Sequence, residues 1–434
     1  MTFTHYQESK LTKEQRIELL KRPKIDFGTI FSRVQPILDS VQSQGDAAVA
    51  QWNTQFDGQS AQPLVIDPQQ LEISLPVEVQ QAIDLAFRNI EAFHRAQISE
   101  TIRMQTMPGV ECQKMMRPIA AVGLYVPGGT AVLPSTAMML AIPAMIAGCQ
   151  TRVMASPPDA SGALAPEIMY IAKKAGITHL LKAGGAQAIA AMAFGTESVP
   201  KVDKLFGPGN QYVTAAKMLA QQSEAQVSID MPAGPSEVLV IADEEARPDF
   251  VAADLLSQAE HGADSQVVLL YTPGFSFEQL LIELQTQLNQ LPRKDLAAQA
   301  LENSFALACD SMSSALDFSN AYAPEHLIVN VAGAEEYLDQ IEHAGSVFLG
   351  AYTPESVGDY ASGTNHTLPT YGYARMYSGV HLASFQKSMT VQQLSKEGLK
   401  AIGPAVETLA QREGLEAHKN AVSIRLKTLP SSHE

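Results

Sequence analysis

Four short stretches of this sequence hold side chains able to move protons or bind a metal. In Leu256-Ser257-Gln258-Ala259-Glu260-His261-Gly262, Gln258 and His261 are three residues apart. At about 100° per residue they fall within roughly 60° of each other on one helix face. Gly262 ends that helix, so His261 sits in its last turn, with a ring nitrogen toward the rim of a sheet. The plainer role for such a histidine is to complement the helix dipole. In Pro324-Glu325-His326 the proline resists continuation of a helix. Glu325 and His326 then occupy a turn before a strand, Leu327 to Val331. A carboxylate beside an imidazole at a strand end suits general acid–base work, because histidine titrates near neutrality. A surface loop pair is the alternative. The third stretch, Glu355 to His366, holds Glu355, Asp359, His366 and two glycines with few apolar residues. It is too polar for a buried strand and reads as a solvated loop or a functional one. In the fourth, Glu413 and His418 would lie about 140° apart on a continuous helix, but Gly414 between them lets the chain turn. On its own, His418 reads as an exposed helix histidine.

Gln258, His261, Asp359 and His418 together offer nitrogen and oxygen donors without a thiolate. That inventory suits zinc with an open coordination position, although no spacing rule forces the four together. Cys112, Cys149 and Cys309 are far apart and odd in number. They make neither a disulfide framework nor a CxxC knuckle, which fits a reducing cytoplasm. There is no GxGxxG after a strand and no P-loop. Gly207-Pro208-Gly209-Asn210 begins like a dinucleotide turn but lacks the third glycine. Pattern alone therefore does not establish a cofactor.

Elements must carry these residues. Apolar spacing of three and four marks helices over 14–20, 34–45 and 77–97, so the first 110 residues read as helical. From Ile119 to about Asp243 short apolar runs alternate with helices. Strands are expected over 120–126, 152–156, 179–182, 201–206 and 237–241, with helices over 166–175 and 187–194. This βαβα rhythm argues for a parallel sheet covered on both faces. Its Gly and Pro turns would stand at the carboxyl ends of the strands, where such sheets bind ligands. A second α/β succession follows, with helices over 248–261 and 277–290 and strands over 266–271, 305–309, 326–331 and 346–349. The last 50 or so residues read as helices with polar faces. Between Arg117 and Arg152 there is no charge, but Pro127, Gly128, Gly129, Pro134 and Pro143 interrupt the run. It therefore falls short of the ~20 apolar residues of a membrane span, and reads as a strand, a turn and a buried helix. No signal peptide is expected at the polar start.

The chain has 434 residues, 46% of them apolar, which suggests two or three well-packed domains. With 46 acidic against 30 basic residues its net charge is -16. That disfavours nucleic acid and anionic membranes as partners, since phosphate neutralisation needs a basic face.

The sequence closely resembles the histidinol dehydrogenases along nearly its whole length. The resemblance is carried by Val122-Gly123-Leu124-Tyr125-Val126-Pro127-Gly128-Gly129, Gly184-Gly185-Ala186-Gln187-Ala188, Phe206-Gly207-Pro208-Gly209-Asn210 and Asp230-Met231-Pro232-Ala233-Gly234-Pro235-Ser236-Glu237. It continues through Ser257 to Gly262, Pro324-Glu325-His326-Leu327, Gly358 to His366 and Ala417-His418-Lys419-Asn420-Ala421-Val422. It implies an α/β fold with two Rossmann-like parallel-sheet domains and small helical N- and C-terminal extensions. Residues 1–24 would form the N-terminal extension. Residues 25–124 and 238–380 would form the first large domain, with the zinc and acid–base residues. Residues 125–237 would form the second, on the NAD side, and 381–434 a C-terminal extension exchanged in a homodimer. The implied reaction is the NAD-dependent, zinc-requiring oxidation of L-histidinol to L-histidine through L-histidinal. By the same likeness Gln258, His261 and Asp359 are zinc ligands, one zinc per subunit, completed by His418 of the partner subunit. Glu325 and His326 are the acid–base pair. Ser236, Gln258, His261, His326, Asp359, His366, Glu413 and His418 contact substrate, and Tyr125, Gln187 and Asn210 contact NAD. Two other classes remain open from the residues themselves: a zinc hydrolase using the same donors, and a non-catalytic metal-binding scaffold.

Overall fold

The computed structural model describes residues 3–22, 27–58, 62–128, 132–231 and 234–430. Gly129, Pro232 and Ala233 of the motifs, and residues 23 and 24 of the expected N-terminal extension, lie outside the described residues. The chain opens with β1 (Thr4–Gln7), α1 (Lys13–Leu19), α2 (Phe27–Gln44), α3 (Asp46–Asp57), β2 (Val65–Ile66) and α4 (Val77–Arg95). Then come β3 (Ile102–Met107) and β4 (Val110–Pro118). A βα succession follows: β5 (Ala121–Tyr125), α5 (Pro134–Ala147), β6 (Thr151–Ser156), α6 (Pro166–Lys174), β7 (His179–Lys182), α7 (Gly185–Phe194), β8 (Lys204–Phe206), α8 (Gln211–Gln222) and β9 (Ser228–Ile229). The next comprises β10 (Glu237–Ala242), α9 (Pro248–Ala259), β11 (Gln266–Tyr271), α10 (Phe277–Leu288), α11 (Lys294–Glu302), β12 (Phe305–Ala308), α12 (Met312–Tyr322), β13 (His326–Asn330), β14 (Ser346–Leu349) and α13 (Glu355–Tyr360). β15 (Gln386–Leu394), α14 (Lys396–Arg412) and α15 (Glu416–Leu426) close the chain.

The chain forms two compact units. The first comprises Met1–Gln97 and Ile119–Phe385, the second Ile98–Pro118 and Gln386–Glu434. The first unit holds two six-stranded sheets, in orders β1-β12-β11-β10-β13-β14 and β2-β7-β6-β5-β8-β9. All pairings are parallel except that of the short β2 with β7. Each sheet is covered on both faces, which is why its central strands are apolar runs rather than alternating ones. β10, for example, is buried at all six positions. On the sheet built around β5 to β8, α2, α7 and α8 share one core, and α4, α5 and α6 the other. On the sheet around β10, α9, α10 and α11 cover one face, and α12 covers the other.

The second unit pairs β15, β4 and β3 antiparallel and carries α14 and α15. Strands here differ from the helical reading of both chain ends. β3 and β15 are largely exposed and β4 is mostly half-buried, and none alternates buried with exposed positions, so they carry little of the period-two pattern that marks a strand. β1, also expected within a helical extension, joins the edge of the first sheet beside β12.

Residues 27–57, expected with the sheet of residues 238–380, pack instead on the sheet of β5 to β8. Ile30, Val34, Ile37, Leu38 and Val41 make one apolar stripe of α2, in one core with Ile189 of α7 and Ala216 of α8. A stripe on a helix says which side is buried, not which sheet buries it.

Candidate active site

Glu325 and His326, the expected acid–base residues, stand at the amino edge of the first sheet. Glu237 opens β10 and His326 opens the adjacent β13, and both are buried. Pro324 precedes β13 as expected, and Ala323 before it takes a left-handed conformation that ends α12. Glu325 and His326 face inward rather than forming a surface loop. The peptide of Glu237 holds them both: its N–H donates to Glu325 Oε2 at 2.9 Å, and its carbonyl lies 3.2 Å from His326 Nδ1. His326 Nε2 stands 3.3 Å from Asp359 Oδ1.

α9 delivers Gln258 to this cluster. The helix stops at Ala259, so His261 stands just beyond it. Gln258 is fully buried; its carboxamide is satisfied when Nε2 donates to Glu355 Oε1 (3.1 Å) and the oxygen accepts from Glu237 N–H (3.0 Å). Ser257 Oγ also donates to Glu355 Oε1, at 2.7 Å. Glu355 is the departure from the loop reading. Residues 355–360 form α13, and Glu355 is 1% exposed, with Oε2 lacking a hydrogen-bond partner. Nothing in the polarity of the stretch announced that one of its carboxylates turns inward.

The electrostatics follow from burial. Burial raises the pKa of Glu325, opposed by His326 and by the Glu237 N–H. Burial alone would lower that of His326, but Glu325, Asp359 and Glu355 outweigh it and hold it raised. Burial pushes up Glu355 as well. Glu325, His326 and Glu355 thus titrate as interacting neighbours, each shifted by the charge of the others. His261 is solvent-exposed, yet surrounding protein lowers its pKa, with Asp359 opposing. A neutral imidazole is the form that binds a metal.

The donor chemistry fits a zinc ion in part. Gln258, His261 and Asp359 are oxygen and nitrogen donors of one unit, and the charges of His261 and Asp359 act on each other. Among the described residues no group of three or more His, Cys, Asp or Glu side chains forms a metal-holding cluster. The set on this unit contains only two such residues plus an amide, and so calls for a further donor. His418 and Glu413 belong to the second unit, where both are exposed. Glu413 caps α14 and His418 lies in α15, with Gly414 at φ 73° making the expected turn between them.

The turns at the carboxyl edge of the other sheet line a cavity of about 1150 Å³. Tyr125, Gly128, Pro157, Gln187 and Asn210 contribute, with Arg33 and Phe56 from α2 and α3. The last two were missed because their helices were assigned to the other sheet. The Tyr125 hydroxyl accepts from Gly185 N–H at 3.0 Å. Gln187 is 1% exposed; its Nε2 donates to Asn53 Oδ1, and its Oε1 is left without a partner. An orphaned buried acceptor beside a large cavity fits a ligand that donates to it. Asn210 caps α8, its Oδ1 accepting from the N–H groups of Tyr212 and Val213. Gly207, at φ 122°, lies so close to the Tyr125 carbonyl that a Cβ there would overlap it.

His366 joins the two places. Its Nδ1 lies 2.9 Å from the Asp359 carbonyl and its Nε2 3.0 Å from Thr136 Oγ1, in the first turn of α5. Leu133, just before that helix, lines the cavity. Both ring nitrogens are engaged, so a substrate contact through either would replace one of these bonds. Ser236 immediately precedes Glu237 and so stands at the same sheet edge.

Glu325 and His326 buried at the edge of one parallel sheet, and a large cavity at the edge of another, are the layout of an α/β protein with an enclosed site. The sequence model described as histidinol dehydrogenase matches residues 20–426. The chain is 59% identical over 427 residues to the chloroplastic histidinol dehydrogenase of Arabidopsis thaliana, covering 98% of this chain and 91% of the relative. It is 52% identical over 421 residues to that of Bacteroides thetaiotaomicron, covering 96% and 98%. The crystal structure of histidinol dehydrogenase from Elizabethkingia anophelis superposes with a TM-score of 0.93, at 49% identity and 99% coverage of both chains. The chain belongs to the histidinol dehydrogenase family, whose function is the oxidation of histidinol in histidine biosynthesis. Among the described residues no helix is long and apolar enough to cross a membrane.

Proposed function

We propose that this chain takes L-histidinol through L-histidinal to L-histidine, with zinc bound and two NAD reduced, as a cytoplasmic homodimer with shared active sites. The observation that carries this reading is the joint suspension of Glu325 and His326 from the Glu237 peptide, with His326 Nε2 directed at Asp359. Alcohol to acid is a four-electron oxidation. It needs two hydride departures with addition of water between them.

His326 is the base for the hydroxyl proton in the first step. Glu325, buried and raised in pKa, takes a proton from the water that adds to the aldehyde carbon. Gln258, His261 and Asp359 would hold zinc together with His418 of the partner subunit, and bound zinc would fix the substrate as a template. Ser236, His366 and Glu413 complete the proposed substrate contacts. Tyr125, Gln187 and Asn210 would hold NAD in the cavity, and bound NAD would supply the hydride acceptor. The orphaned Gln187 Oε1 supports this placement. The separate, free cysteines suit a reducing compartment.

Removal of metal by a chelator should abolish NADH formation from histidinol, and zinc should restore it. A metal-loaded protein that forms no NADH from histidinol would instead favour the zinc hydrolase.

A further inference from the structure

We propose that Arg22 is a positioning residue for the acid–base pair, acting through its buried ion pair with Glu237. The inference rests on the acid–base reading of Glu325 and His326. Arg22 Nε and Nη2 each donate to a different oxygen of Glu237, both at 2.9 Å. The two side chains are 6% and 1% exposed. The guanidinium lies over the Tyr322 ring, 3.2 Å from its centroid. Tyr322 is itself wholly buried and donates to Gln266 Oε1 at 2.7 Å. Arg22 Nη1 closes the arrangement on the Leu20 carbonyl at 3.2 Å. The fork and the stack leave the carboxylate one orientation, which an ammonium on a flexible stem would not impose.

Glu237 matters because of what hangs from its main chain. The Glu237 main-chain N–H is shared between Glu325 and Gln258, and its C=O faces His326. Three site residues, one on α9 and two at the start of β13 or just before it, thus take their positions from one residue. Glu237 is the first residue of β10, where the ladder is only beginning to constrain the chain. A buried ion pair adds little stability on balance, since desolvation offsets attraction, but it does fix geometry. The side-chain clamp supplies here the constraint that the strand end lacks. The N-terminal segment thereby takes part in the reaction without touching substrate.

The test compares the zinc-loaded full-length enzyme with Arg22→Lys and with the double variant Arg22→Met/Glu237→Met, which leaves no unpaired buried charge. A misplacement of about 1 Å can cost on the order of 100-fold in rate. Both variants should lose roughly 10- to 100-fold in kcat per folded enzyme, with KM for histidinol and zinc content held within about twofold. Recovery of kcat in the double variant alongside its melting temperature would overturn the proposal and leave the pair a fold staple. An Arg22→Lys enzyme with unchanged kcat would do the same. His326→Ala measured in parallel separates the two claims. If it keeps full turnover, the acid–base reading fails and the proposal falls with it. If it is inactive while the Arg22 variants turn over normally, only the positioning claim fails.

Discussion

Chemistry in this protein is concentrated in a few side chains whose surroundings, not their identities, set what they do. Glu325 and His326 are adjacent in sequence and would be a surface pair in most settings. Here both are buried and share one peptide as partner. Replacing His326 by Ala removes the proposed base but none of the proposed zinc ligands. Turnover should fall by about 10²- to 10⁴-fold, the usual worth of a positioned general base, while zinc stays bound. Measuring kcat beside metal content checks this; comparable losses of both would mean that His326 mainly supports the metal. Glu325, His326, Gln258 and Asp359 stood out in the sequence because their motifs carry donors in unusual density, and the structure brings them together. Glu237 did not, and Glu355 stood out only as a carboxylate of a negative rim, whereas it is buried. Their importance lies in what they face, and a carboxylate in a sequence reads the same buried or exposed.

The inner parallel strands of both large sheets were legible because burial on two faces writes continuous apolar runs, whereas the edge strands β1 and β9 were not. The strand over 266–271 coincides with β11, and that over 346–349 with β14. The exposed strands of the second unit left no such trace. Turns were read correctly as strand-to-helix connections, and the structure adds why one glycine is needed. Gly207 adopts φ 122° against the Tyr125 carbonyl. Gly207→Ala should therefore strain the backbone by roughly 1–3 kcal/mol and displace Tyr125 and Asn210 from the cavity. Chemical denaturation gives the first effect and NAD titration the second. An unchanged NAD affinity would argue that the cavity does not hold the dinucleotide.

At the scale of the whole molecule, the proposed site is incomplete on one unit. Of the expected charged or imidazole zinc donors, His261 and Asp359 interact within the first unit, while His418 belongs to the second, where it is exposed. Sequence spacing was silent on this, because ligands shared between copies obey no spacing rule within one chain. If His418 serves the neighbouring copy, His418→Ala homodimers should lose zinc and activity. Mixing His418→Ala with His326→Ala subunits should then restore part of the activity, because one site of each mixed dimer has intact residues from both chains. No recovery from verified mixed dimers would show that each site draws on one chain alone. The net charge of -16, at first an argument against nucleic acid, also suits a basic substrate such as histidinol.

The central claim is that one site carries out both oxidations. The most direct test is the number of NADH formed per histidinol consumed by the zinc-loaded enzyme at completion. Two NADH, with histidine as the product, is the predicted result. One NADH with histidinal released would contradict the account, because the water-activating role of Glu325 and the second oxidation would then be absent.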